Sequence, residues 1–187
     1  MEEFGWSPLG AQIRCVLEKG VVMPIPAAPE GQLTPGSAVL ALFKQVHQQL
    51  RDELSDLDDE AVRWMPIEGA NPIGVIVTHI LGSEAESLGT VAGLGVARDR
   101  DAEFIPGSAG VEGLLGLLDE ADVRIDDLAS RITPERLRDS AALPTLPFDE
   151  PRPGMTWLIG NYGHAREHVG HVQLTRQLFL VGGAPRP

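Results

Sequence analysis

Cysteine is almost absent from this chain: Cys15 stands alone among 187 residues. That excludes an intramolecular disulfide framework and a CxxC-type zinc site. Bases are scarce as well, with 15 lysines and arginines against 27 aspartates and glutamates, for a formal charge of -12. A nucleic-acid partner calls for a basic face, and so does docking on an anionic membrane surface, so neither is expected. Long apolar runs are missing too. The longest near the middle, Ile73 to Leu81, is interrupted by Thr78 and His79 and falls far short of the ~20 residues of a membrane span. The N-terminal Met1-Glu2-Glu3-Phe4-Gly5 is acidic, with no basic segment leading into an apolar run. A secretory signal is therefore not expected, and the cytoplasm is the default location. Neither an internal repeat nor a low-complexity tract is present.

What remains suffices for one folded domain, since 43% of the residues are hydrophobic and the length fits the rough prior of ~100–200 residues per domain. Residues 1–36 read as an N-terminal extension to a domain over 37–187. Within the extension, Leu9 to Lys19 reads as a short helix, and Val21 to Gly36, carrying Pro24, Pro26, Pro29 and Pro35, as an extended connector. Ser37 is placed as the N-cap of the first long helix. Its apolar stripe is Val39, Leu42, Phe43, Val46, Leu50 and Leu54, and it runs to about Ser55. Asp58 to Val62 predicts a short acidic turn of helix. Asn71-Pro72 then introduces a second helix, with asparagine as cap and proline at the first helical position. Its β-branched content also fits a buried strand; the cap signal and length favour helix. A third helix is predicted from about Ser108 to Ile132, with Asp119, Glu120, Asp122, Asp126 and Asp127 on its far side read as a solvated face. After a connector holding Pro144, Pro147, Pro151 and Pro153, a fourth helix is predicted from about Gly154 to Val181, stopped by Gly182-Gly183. Four amphipathic segments without a series of strands predict an all-α, four-helix bundle.

Five histidines are present, and His164, His168 and His171 fall within eight residues. On a helix, i+4 lies about 40° and i+7 about -20° from the start, so all three rings leave one face. That face also carries Trp157, Asn161 and Thr175, which points it inward. Buried imidazoles without partners are costly, and protonated ones on adjacent turns repel. A divalent metal answers both difficulties, because histidines at i and i+4 can share one ion. His164 and His171 are separated by ~10 Å of helix rise at ~1.5 Å per residue, so a third ligand should come from another helix. His79, mid-helix beside an apolar stripe, is the first candidate. His47, at the edge of its stripe and read as a surface residue, is the reserve. Three histidines leave coordination positions open for water or substrate, the catalytic rather than the structural pattern.

Other metal patterns fit less well. His164-Ala165-Arg166-Glu167-His168 matches H-x-x-E-H, but no Asp or Glu follows between Val169 and Pro187 to act as a further acidic ligand. A di-iron carboxylate bundle requires E-x-x-H pairs, and Gly170 stands three residues after Glu167. Cys15 lacks local support as a nucleophile.

The run Asn71-Pro72-Ile73-Gly74-Val75-Ile76-Val77-Thr78-His79-Ile80-Leu81-Gly82-Ser83-Glu84 resembles the second-helix motif of the DinB/YfiT-like superfamily. Trp64-Met65-Pro66 with Gly69 resembles the segment before it. Trp157-Leu158, then His164-Ala165-Arg166-Glu167-His168-Val169-Gly170-His171 and on to Arg176, resembles the family's last helix. The resemblance covers about residues 37–181. It implies a four-helix bundle with a long crossover connection. It also implies a divalent metal, nickel or zinc most often, held here by His79, His164 and His168. His171 falls where many relatives have glutamine and one subgroup histidine, which makes it a pocket residue and the candidate catalytic side chain. Because the family includes transferases and isomerases dependent on bacillithiol or mycothiol, the resemblance implies a small-molecule substrate and a low-molecular-weight thiol, with hydrolysis as the neighbouring reaction. The competing expectation is a non-catalytic metal-binding or stress-response module acting as a homodimer.

Overall fold

The computed structural model describes residues 34–105, 109–146 and 150–183. The expected Leu9–Lys19 helix and residues 21–33 of the expected connector lie outside these residues. The connector's last residues do not stay extended. Helix α1 spans Pro35–Leu54, with Thr34 as N-cap. Thr34 Oγ1 accepts the Ser37 amide at 3.1 Å, and Ser37 Oγ accepts the Thr34 amide at 3.0 Å. Ser37 is thus the third residue of a capping box rather than the cap, and Pro35 sits at a first-turn position where a missing N–H costs nothing.

The short helix α2, Asp59–Arg63, begins at its Asp58 cap. Helix α3 spans Ile73–Ala92, which settles helix over strand for this β-branched segment. Pro72, not Asn71, is the N-cap, and its carbonyl accepts the Ile76 amide at 3.1 Å. At the other end Gly93 adopts φ 75°, the left-handed conformation that closes a helix. A four-residue helix α4, Arg100–Glu103, follows. Helix α5 covers Val111–Leu128 and tightens into a 3-10 turn at Ala129–Arg131. Its first amide is bonded by Asp59 of α2, 2.9 Å from the Val111 nitrogen. Helix α6, Pro134–Arg138, leads to a two-residue antiparallel ladder between β1, Ser140–Ala141, and β2, Arg152–Pro153. Helix α7 runs over Gly154–Leu178 and ends in a π turn, Phe179–Gly183.

The long helices α1, α3, α5 and α7 form the bundle. Helices α3 and α1 each pack along both α7 and α5, which leaves α1 and α3 on one diagonal and α5 and α7 on the other. The connections α1–α3 and α5–α7 therefore cross diagonals. One end of the core gathers Val46, Leu50, Val77, Ile80, Leu114, Leu118, Val169 and Val172. The other gathers Phe43, Leu88, Val91, Ile125, Leu137, Trp157 and Leu158. Each such side chain, moved fully out of water, contributes roughly 1.5–3 kcal/mol. Among the described residues no helix is long and apolar enough to cross a membrane.

The face of α5 expected to be merely solvated is partly engaged. Asp122 and Asp119 bond Arg51 of α1 at 2.7 and 2.8 Å, and Asp126 bonds Lys44 at 2.6 Å. These acids tie α5 to α1, although the exposed members contribute little each.

Candidate metal centre

Helices α3 and α7 run antiparallel. Asn161 Nδ2 donates to Ser83 Oγ at 2.8 Å, and four residues earlier on α3, His79 meets His164. This register brings the middle of α3 against the HxxxH segment of α7. The Nε2 atoms of His79 and His164 are 3.1 Å apart, and those of His168 and His164 are 3.0 Å apart. Ligand atoms of all three residues lie within 4.8 Å of one another. His79 is buried, while His164 and His168 are half-buried and open towards solvent. The rings stand nearly edge to face, His79 and His168 at 90° and His164 and His168 at 84°.

Electrostatics disfavours charge on the two α7 rings. Burial pushes His164 below the usual histidine range, and the neighbouring His79 and Arg98 push it further. Burial together with His164, His79 and His171 pushes His168 down to about 4. On the far side of the His79 ring, Nδ1 lies 2.9 Å from Glu103 Oε2. Burial alone would raise the Glu103 carboxyl; hydrogen bonds from Arg98 and His79 outweigh it and hold the carboxyl below the ordinary range. An ionised carboxylate only accepts, so His79 Nδ1 carries a hydrogen, and in the neutral ring that leaves the lone pair on Nε2. Arg98 Nη2, 3.4 Å from the same Nδ1, is itself a donor and bonds Glu103 Oε2 at 2.8 Å.

Three imidazoles with converging Nε2 atoms, the two on α7 disfavoured as cations, suit a divalent metal. With metal–nitrogen bonds of about 2.0–2.1 Å, tetrahedral ligands stand about 3.3 Å apart, close to the separations here. Without a cation, the same nitrogens would compete for one another's hydrogens in a site that excludes charge. The residues present therefore fit a bound divalent metal, and imidazole nitrogen suits nickel and zinc alike.

His171 is exposed and stands outside the convergence. Its Nδ1 lies 3.1 Å from His168 Nδ1, the nitrogen that faces away from the other two rings. The expectation that its ring shares an inward face with His164 and His168 is corrected. The α3–α7 register places His171 level with the first turn of α3, where cover from that helix ends. Glu167 is exposed. Cys15 lies outside the described residues.

His47 differs most from expectation. It is fully buried rather than at the surface, with Nε2 2.8 Å from Glu84 Oε2 and Nδ1 2.7 Å from Asp122 Oδ1. Its stripe-edge position is covered from α5 by the acids read as solvated and from α3 by Glu84. Both nitrogens are engaged, and among the described residues the convergent group comprises His79, His164 and His168 without it.

Sequence reasoning missed Glu103 and Arg98, which flank the outer nitrogen of His79, and Glu86, which bonds Arg98 behind them. They come from a four-residue helix, the loop before it and the buried side of α3, where no periodic pattern marks them. The nearest available signal was Glu84 and Glu86 interrupting an otherwise apolar helix.

A family model of the DinB superfamily matches residues 42–172, a span that contains all four candidate histidines of α3 and α7. Two solved structures share the fold. One is a DinB-like protein from Bacillus cereus ATCC 10987, 18% identical, with a TM-score of 0.61 over 80% of this chain and 94% of that one. The other is YfiT from Bacillus subtilis, described as a probable metal-dependent hydrolase with an unusual four-helix bundle topology. It is 16% identical, with a TM-score of 0.62 over 85% of this chain and 95% of that one. No curated protein matches the chain in sequence. The match across most of the bundle, together with the shared fold, shows that this chain belongs to the DinB superfamily.

Proposed function

We propose that this protein is a divalent-metal-dependent enzyme acting on a small molecule, with His79, His164 and His168 as the metal ligands. The observation that carries the reading is the convergence of three imidazole Nε2 atoms from two helices, 3.0 and 3.1 Å apart, on a side where two of the rings meet solvent. Three protein ligands leave room for an exchangeable fourth. A bound nickel or zinc ion supplies a thiol or water of lowered pKa near neutral pH. Within this scheme His79 is oriented by Glu103. His171, in contact with the outer nitrogen of His168, is the side chain we assign to proton exchange between that ligand and solvent.

The preferred reaction is transfer of a low-molecular-weight thiol to an electrophile, on the analogy of the superfamily. Hydrolysis is the second reading, favoured by the description given to the YfiT structure. The test is to load purified protein with zinc or nickel and assay it with a panel of thiols plus electrophiles, and separately with esters and amides. Thiol consumption that chelation abolishes and His168→Ala lacks supports the first reading. Chelator-sensitive hydrolysis without thiol supports the second. A loaded protein inert to both, with no exchangeable water at the metal, would assign the centre to a non-catalytic binding module.

A further inference from the structure

Behind His79 lies a buried group of charges that the metal reading does not require. Glu86, Arg98 and Glu103 have side chains 1%, 7% and 7% exposed. Arg98 clamps Glu103 with two parallel bonds, Nε to Oε1 at 2.6 Å and Nη2 to Oε2 at 2.8 Å. Its third nitrogen bonds Glu86 at 2.9 Å. Glu86 in turn accepts the Thr145 amide at 2.7 Å and the Thr145 hydroxyl at 2.5 Å. The Glu103 carboxylate is thus fixed from behind by a chain that reaches α3, the loop before α4 and the segment after β1.

A second feature concerns Gly82, one turn beyond His79 on α3. Glycine weakens a helix interior, and Gly82 has an ordinary helical conformation that does not require it. Space does. A Cβ built there would meet Glu103, 2.7 Å from its Cδ and closer still to Oε1. The carboxylate occupies the notch that the missing side chain leaves, and the Arg98 clamp prevents it from swinging aside. Two carboxylates against one guanidinium also leave a negative charge in a buried place, which a cation on the opposite edge of the His79 ring would offset.

We propose that Glu103 is a positioning residue for the metal centre. Seated in the notch at Gly82 and clamped by Arg98, it holds His79 with its hydrogen on Nδ1 and its Nε2 lone pair aimed at His164 and His168. It also contributes the negative charge that strengthens cation binding. The proposal rests on the metal reading of the three histidines. It makes Gly82 a determinant of the centre although glycine has no ligand atom. Carboxylates that orient metal-bound histidines typically change affinity by about 10–100-fold when removed.

The test uses the full chain and two readouts. In metal-free protein, long-range proton–nitrogen NMR reads the His79 tautomer, with His79→Gln identifying the signals. Wild type should show hydrogen on Nδ1, and Glu103→Ala and Gly82→Ala should lose that preference. Zinc affinity, measured by competition with a chromophoric chelator, should fall about 10–100-fold in both variants, with an altered cobalt(II) absorption spectrum. Glu103→Gln keeps the shape and an acceptor, and should fall between wild type and Glu103→Ala. Should Glu103→Ala misfold, Gly82→Ala and Glu103→Gln still decide the matter. Wild-type zinc binding with unchanged affinity and tautomer in the variants would overturn this inference alone. Wild type that binds no zinc would overturn the metal reading and this inference with it.

Discussion

Replacing His47 with leucine removes the side chain through which α1 bonds Glu84 of α3, across the diagonal of the bundle, and Asp122 of α5. Leucine fills much of the same volume, so the loss is chiefly polar. Glu84 is fully buried, and its other oxygen has no hydrogen-bond partner among the described residues, so the substitution strips a buried carboxylate of its bonded neighbour. Removing one partner of a buried ionic pair costs about 3–5 kcal/mol. Urea unfolding of chelator-treated protein reads this directly. With a slope of about 2 kcal/mol per molar for a domain of this kind, the midpoint should fall by about 2 M. The double variant His47→Leu/Glu84→Leu removes both partners and should regain most of the loss. The effect also has a pH signature. Burial lowers the His47 pKa, but hydrogen bonds and charge from Glu84 and Asp122 outweigh it and raise the value above the ordinary histidine range. A raised value means stability that is fully present below about pH 6.5, the unfolded value, and is lost as pH rises through the folded one. Asp122 shifts the other way. Burial is outweighed by His47 and Arg51, so its pKa is lowered, and its contribution is present above about pH 3.9 and lost as pH falls through the folded value. The gap between wild type and His47→Leu should therefore be widest near pH 5–6 and narrow on the alkaline side. A loss under about 1 kcal/mol, a double variant as unstable as the single one, or a gap that widens with pH would show that His47 is not the stabilising partner of Glu84.

Other residues make narrower demands. His171→Ala should still bind one zinc per chain, because its contact with the centre runs through the outer nitrogen of His168; zinc loss equal to that of His168→Ala would make His171 a direct ligand. Gly36→Ala should destabilise α1 by roughly 1–3 kcal/mol through overpacking, since a Cβ there would stand 2.5 Å from the Ile132 carbonyl oxygen and 3.2 Å from its Cγ2. An unchanged or higher urea midpoint would contradict that contact. Thr34→Ala should cost about 0.5–2 kcal/mol by opening the capping box, again read from urea unfolding.

The four long helices were legible because each carries an apolar stripe of 3.6-residue period over four or more turns. Their ends were less so. Proline at 35 reads as a connector until the Thr34–Ser37 box is seen to use it as a helix start. The elements α4, α6 and the β1–β2 ladder are too short for any period to show. For the candidate site, HxxxH on one helix brings two candidate ligands to one face. The third candidate lay between His79, read as mid-helix beside an apolar stripe, and His47, read as a surface residue; it is His79 whose ring converges with that pair. His47 was misjudged because stripe-edge geometry says nothing about what a diagonal helix and an acidic neighbour bring to cover it. Glu103 and Arg98 were invisible for a related reason. Their role depends on a tertiary notch at Gly82, and no local pattern encodes which side chain will occupy an absent one.

Zinc titration of metal-free protein, with stoichiometry and affinity measured for wild type and each single alanine variant, decides whether His79, His164 and His168 hold one divalent metal. One zinc per wild-type chain is expected, with a severe loss of affinity in His79→Ala, His164→Ala and His168→Ala alike and His47→Ala unchanged in stoichiometry. Wild type without zinc affinity, or the three variants binding as wild type does, would contradict it.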